Sequence, residues 1–206
     1  MVGDGAQTAR VPSVMGDYDT AQSEFTWDTA RRWLDGLPGG GRNIAHEAVD
    51  RHVLHRRGDR VAFRFVDADG LDVMWTYAQL AERTSRFAEV LRAVGVGPGD
   101  LVCGLSGRIP DLYVALLGTL KARSVFSPLF SAFGPEPIRL RMAMGHARLL
   151  VTTPTLYRKK VDQLRADLPE LEHVLLIGPD AEELVGAERL GPGVVPLAEL
   201  WPSTTG

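Results

Sequence analysis

The sequence predicts an α/β fold, a parallel sheet with helices on both faces, accompanied by a β-hairpin. Three observations predict it. Strand-like apolar runs at 101–105, 125–127, 149–152 and 174–177 alternate with helix-like runs at 110–122, 135–145 and 155–168. A repeated strand–helix order implies parallel pairing through right-handed crossovers. Upstream, 61–66 is a β-prone apolar run with Arg64 in it, Asp67-Ala68-Asp69-Gly70 interrupts it and 71–75 resumes it, the pattern of a hairpin. Next, Thr76 stands three residues before Gln79 as in a capping box, and Leu80, Thr84, Phe87, Ala88 and Leu91 share one helical face until Gly95.

The other segments follow in order. Residues 1–24 are small, polar and aperiodic, so a flexible tail is expected there, with nothing to offset the entropy of ordering it. Trp27 and Trp33 precede Leu37-Pro38-Gly39-Gly40-Gly41, a short helix running into a turn. From Asn43 to Arg56, the residues Ile44, Ala48 and Val49 recur at helical spacing and predict a helix that ends before Gly58. The organised subdomain spans 25–178, and 179–206, rich in Gly, Pro and Ala, is expected to be an irregular tail.

With 23 Lys and Arg against 26 Asp and Glu, a net charge of −3 and 45% hydrophobic residues, the composition is that of a soluble globular chain. The longest strongly apolar stretch, 112–120, falls well short of the ~20 residues of a membrane-spanning helix. The first nine residues hold no basic residue and no apolar core, unlike a secretory signal. The single cysteine, Cys103, rules out a disulfide framework or a cysteine zinc site and fits a reducing compartment, so a cytoplasmic location is expected. Near-neutral charge argues against nucleic acid as a partner.

Few motifs carry chemistry. Gly95-Val96-Gly97-Pro98-Gly99 leaves a helix and enters a strand, the reverse of a phosphate cradle, and reads as a plain turn. His52 and His55, near Glu47 and Asp50, fit a surface metal pair or simply a solvated helix face. Cys103 lies within a buried strand with no activating base and reads as an inert thiol. The loop 127–134 is more informative, because it leaves the carboxyl end of a parallel strand, where open α/β sheets bind ligands. Pro135 and Pro137 remove N–H donors from the following helical turn. What remains is a shelf of aromatic and small residues, Phe130, Ser131, Ala132 and Phe133, shaped for a flat or slender ligand unless the aromatics are ordinary core. Residues 139–165 carry seven Lys and Arg against Asp162 alone, a local +6 beside −9 for the rest, which suits the phosphates of a soluble nucleotide, an acidic partner, nucleic acid or a solvated face.

Several stretches together resemble one family. They are Asn43-Ile44-Ala45-His46-Glu47-Ala48-Val49-Asp50-Arg51-His52, Trp75-Thr76-Tyr77-Ala78-Gln79-Leu80, Arg108-Ile109-Pro110-Asp111-Leu112-Tyr113, Leu120-Lys121-Ala122, and Pro128-Leu129-Phe130-Ser131-Ala132-Phe133-Gly134-Pro135-Glu136. They look like the amino-terminal part of AMP-forming acyl-coenzyme A synthetases, on the acetate–CoA ligase branch of the adenylate-forming superfamily, over about residues 43–178. In that family a carboxylic acid and ATP form an acyl-adenylate, and coenzyme A then displaces AMP to give the thioester. The resemblance implies coenzyme A contacts at Phe130, Ser131 and Ala132, along pantetheine or adenine, and at Arg158 near the 3′-phosphate.

The family's Thr-Ser-Gly-Thr-Thr-Gly-x-Pro-Lys phosphate loop, its Thr-Glu adenine motif, its ribose aspartate and its carboxyl-terminal lysine do not occur in these 206 residues. Ser203-Thr204-Thr205-Gly206 echoes the loop without its lysine. In-line attack on the α-phosphate needs that positive charge and those donors. The expectation is therefore an amino-terminal segment of an acetate or short-chain ligase, inactive alone and without catalytic residues. ATP and Mg would serve only the intact enzyme, with the remaining half as a partner. A non-catalytic module for coenzyme A or a partner, or a degenerate fragment, is the alternative. One departure bears on packing: where the family has Gly after Lys-Ala, this chain has Arg123. A helix end there favours a left-handed residue, in which Arg costs on the order of 1 kcal/mol.

Overall fold

The computed structural model describes residues 16–67, 70–182 and 191–201. The chain divides into two units, Met1–Asp35 and Gly36–Gly206. In the first, α1 (Tyr18–Glu24) and α2 (Trp27–Arg32) each start from a side-chain cap. Asp17 accepts the Thr20 N–H and Thr26 accepts the Thr29 N–H, both at 3.0 Å. Part of the expected tail is thus helical. Residues 18–24 have no apolar stripe, but the aspartate cap and the absence of Gly and Pro allow a local helix that periodicity does not register.

The first helical segment of the second unit is capped by Asn43, whose Oδ1 accepts the N–H groups of Ala45 and His46 at 2.9 and 3.2 Å. That cap starts a helical segment comprising a π turn, His46–Asp50, and α3 (Arg51–Leu54). The hairpin follows as β1 (Val61–Val66) and β2 (Asp72–Thr76), antiparallel with a register shift between Val61 and Phe63. The Thr76–Gln79 capping box forms in both directions and begins α4 (Tyr77–Ala93), which buries Leu80, Thr84, Phe87, Ala88 and Leu91 as its spacing predicts.

Five parallel strands then form one sheet in the order β4-β3-β5-β6-β7. They are β3 (Leu101–Leu105), β4 (Val125–Pro128), β5 (Ala147–Thr152), β6 (His173–Leu176) and β7 (Val194–Pro196). β7 falls in the stretch expected to be an irregular tail: Val194 and Val195 pair with Val174 and Leu175. A three-residue strand is too short to show alternation, so only the sheet edge defines it. After it comes α8 (Leu197–Leu200).

Alternate strand residues feed two cores. Val102, Leu149, Val151 and Leu175 face α4 and α5 (Pro110–Lys121), whose Phe87, Leu91, Val114 and Ala115 cover them. Cys103, Leu105, Leu150 and Val174 face α6 (Pro135–Met144), through Ile138 and Met142, and the segment after β5. Gly118 sets the approach of α4 to α5, because a Cβ there would lie 2.7 Å from the Phe87 Cβ and 2.8 Å from the Thr84 carbonyl oxygen. The helix expected over 155–168 is instead three short pieces: α7 (Pro154–Leu156), a π turn at Tyr157–Val161 and a 3-10 turn at Asp162–Asp167. The changes of pitch keep Tyr157, Val161 and Leu164 all on the core.

This strand order places the topological switch between β3 and β5. The chain leaves β3 in one direction to reach β4, then returns past β3 to β5. In open α/β sheets the crevice for ligands lies at the carboxyl ends of strands at such a point.

Candidate functional site

The loop after β4 sits on this carboxyl edge. Leu129 is buried and donates its N–H to the Gly104 carbonyl at 2.8 Å, fastening the loop to β3. The next residue turns outward: Phe130 is 64% exposed, Ser131 is half-buried and Ala132 is exposed. The Phe133 N–H closes a turn onto the Phe130 carbonyl at 2.9 Å, and the two rings meet edge to face at 5.5 Å. The Arg141 guanidinium lies 4.3 Å from the Phe133 ring centre. Phe130 is therefore no core aromatic, and Phe130, Ser131 and Ala132 form one open surface.

Arg158 lies on the π turn Tyr157–Val161. Tyr157 and Val161 point into the core, and burial raises the Tyr157 phenol above its ordinary value. Arg158 and Lys159 face solvent. Lys160, on the same turn, reaches the shelf: its Nζ donates to the carbonyl oxygens of Ser131 at 2.5 Å and Phe133 at 2.7 Å. The structure thus joins the turn bearing Arg158 to the shelf through Lys160, which the sequence shows only as one member of a basic run.

The basic segment is largely committed to holding the fold. Arg139 pairs with Glu136 at 2.7 Å, Arg165 donates to the Leu171 carbonyl at 2.7 Å, and Arg148 bridges Asp100 and Glu172 at 2.8 and 2.6 Å. With Arg141 on Phe133 and Lys160 on the loop, only Arg158 and Lys159 of the seven cations have no polar partner among the described residues. The +6 of the sequence becomes two available charges, both on the turn tied to the shelf. Arg108, exposed in the loop after β3 beside the switch point, is a third cation on this edge with no partner among the described residues. No local pattern singles it out, since its place follows from strand order.

Two cavities lined by described residues lie elsewhere. One of about 270 Å³ sits beyond β6 and β7, between Arg83, Asp111, Gly178 and Trp201. The larger, about 630 Å³, is lined by His46, Asp50, Arg92, Lys121 and Arg123. Its central lysine is already neutralised, as Lys121 donates to Asp50 at 2.6 Å, Ser85 at 2.9 Å and the Ala81 carbonyl at 3.1 Å. Size alone therefore does not make it the site. Neither cavity includes the shelf or Arg158, because the shelf is an open surface. Gly95–Gly99 is a turn with Gly95 and Gly99 at φ +79° and +86°, Cys103 is fully buried with its thiol pushed up to about 12 by desolvation, and the His52 ring packs against Tyr77 at 4.3 Å. Ser203 to Gly206 lie outside the described residues.

The model of the AMP-binding enzyme family matches residues 49–194. The chain belongs to that family. It is 34% identical over 179 residues to an acetyl-coenzyme A synthetase of Bacillus subtilis (strain 168), covering 84% of this chain and 30% of the relative. An acetyl-coenzyme A synthetase of Halorhodospira halophila is 37% identical over 128 residues, 62% of this chain and 20% of the relative. Among solved structures, the Brucella canis acyl-CoA synthetase superposes with a TM-score of 0.71 at 29% identity, over 90% of this chain and 32% of that one. The acetoacetyl-CoA synthetase of Streptomyces lividans gives 0.71 at 26%, over 87% and 31%. The chain spans about a third or less of the length of each. The AMP-binding family and the α/β fold implied by the sequence motifs are thereby established, and the chain corresponds to a segment of an acyl-CoA synthetase. Among the described residues, no helix is long and apolar enough to cross a membrane.

Proposed function

We propose that these 206 residues form the coenzyme A-facing, amino-terminal part of a cytoplasmic AMP-forming ligase that converts acetate or another short-chain acid, ATP and coenzyme A to acyl-CoA, AMP and pyrophosphate. The observation that carries this reading is Arg158, without a polar partner among the described residues, on a turn that Lys160 fastens to the exposed shelf Phe130–Ser131–Ala132. An exposed aromatic beside small residues suits the thin pantetheine chain or the adenine face, and a free guanidinium suits a phosphate dianion. The rest of the ligase supplies the ATP site with its Mg. The residues described here offer no glycine-rich loop ending in lysine to neutralise charge on the transferred phosphate.

Two assays on the 206-residue polypeptide test this. Calorimetry with coenzyme A is expected to give one-site binding, and pyrophosphate release from ATP and acetate is expected to stay at background. No heat with coenzyme A would overturn the binding assignment, and sustained pyrophosphate release would overturn the division of labour.

A further inference from the structure

The larger cavity, beside α4 and α5, holds groups that the fold leaves unused. Three cations line it, Arg92, Lys121 and Arg123, against two carboxylates, Asp50 and Glu89. Lys121 and Asp50 neutralise each other at 2.6 Å. Arg92 donates from Nε to the Ala88 carbonyl at 3.3 Å and comes within 3.9 Å of Glu89. Arg123 is the cation left over, with no polar partner among the described residues. Its φ of +65° is a costly conformation for a residue with a side chain, of a kind that clusters at ligand clamps.

His46 lines the same cavity. Its side chain is only 10% exposed, yet its ring makes no hydrogen bond among the described residues, and Asp50 Oδ2, 4.0 Å from Nδ1, is out of reach for one. A neutral imidazole carries one donor and one acceptor, and buried polar groups ordinarily find partners. Leu37, Ala88, Pro98 and Ala122 supply apolar wall. The volume of about 630 Å³ falls among small-molecule sites, which span roughly 300–1,000 Å³, and far exceeds a bare ion.

We propose that this cavity binds a small hydroxylated organic anion, its carboxylate or phosphate on Arg123 and a further polar group on the His46 ring. A guanidinium fork matches either oxyanion. The proposal does not rest on the coenzyme A reading, since the shelf and Arg158 lie outside this cavity.

The test is NMR of the full 206-residue chain at fixed pH, following the His46 imidazole and Arg123 Nε–H signals as citrate or glycerol phosphate is added. Both ligands pair an oxyanion with a hydroxyl, and they separate a carboxylate source from a phosphate ester. Both signals are expected to move saturably at millimolar concentration with at least one ligand. Arg123→Gly relieves the left-handed strain, so loss of the fold is not at issue. It is expected to weaken binding about tenfold, the scale of one charge-assisted contact. His46→Gln is expected to weaken it by a smaller factor. Undiminished binding in either variant would overturn the inference. So would silence of the His46 ring toward both ligands, or equal shifts with sodium chloride at the same ionic strength, which would mark screening alone.

Discussion

The two edges of the parallel sheet use charge in opposite ways. At the amino edge, before β3, β5 and β6, Arg148 spans Asp100 and Glu172 and donates to the Gly95 carbonyl at 3.0 Å, while Asp100 accepts the Gly97 N–H at 2.8 Å. Nearby, Lys121 is spent on Asp50, Ser85 and the Ala81 carbonyl. At the carboxyl edge Arg108, Arg158 and Lys159 have no partner among the described residues, and Phe130 stands in solvent. Apart from Arg123, whose side chain has no polar partner among the described residues, the amino edge is satisfied internally and holds the molecule together. The other is left unsatisfied, which costs little in water and leaves groups ready for an anion.

This contrast breaks if amino-edge substitutions leave stability untouched. Lys121→Met carries the largest expected effect, because it strands Asp50 and removes a three-way tie between the His46–Asp50 turn, α4 and α5. A loss of about 2–3 kcal/mol is expected in urea unfolding, at the lower end for a broken buried pair since Asp50 keeps some solvent contact. Acid sensitivity comes next. The Gly97 N–H and then Arg148 hold the Asp100 carboxyl below its ordinary range, and Arg148 does the same for Glu172. A carboxyl with a depressed folded-state pKa stabilises above its unfolded value and loses that contribution as pH falls through the folded one. Stability should therefore drop on acidification below about pH 4. Asp100→Asn should flatten that limb and lower the plateau at pH 7 by about 1 kcal/mol or less.

The smallest expected effect has the opposite sign. Arg123 sits at φ +65°, the left-handed conformation anticipated where the family has glycine, and its side chain makes no polar contact among the described residues. Arg123→Gly should raise stability by about 0.5–1 kcal/mol, some 2 °C in melting temperature. A loss would mean that the side chain carries a contact worth more than the strain.

What the sequence discloses follows from how local each cause is. The capping box at Thr76 and Gln79, the apolar face of α4 and the alternation of strands arise from neighbours in the chain, and they are legible. Arg123 is legible as a helix-end residue because its strain is a backbone matter. β7 is not, since three residues become a strand only by pairing with β6. The breaks in pitch over 154–167 follow from the core that Tyr157, Val161 and Leu164 must all reach. The shelf at Phe130, Ser131 and Ala132 can be placed from its position after a strand. Lys160 cannot, because only the fold brings it to carbonyls 27 and 29 residues away.

The most direct test of the carboxyl-edge assignment is a binding cycle by calorimetry: wild type and Arg158→Ala, each with coenzyme A and with 3′-dephospho-coenzyme A. Arg158→Ala is expected to leave the melting temperature unchanged. In the wild type, loss of the 3′-phosphate should weaken binding about tenfold, the scale of one charge-assisted contact of about 1.4 kcal/mol, and in Arg158→Ala the two ligands should bind alike. Equal binding of both ligands by the wild type, or an undiminished preference for the 3′-phosphate in Arg158→Ala, would contradict the account.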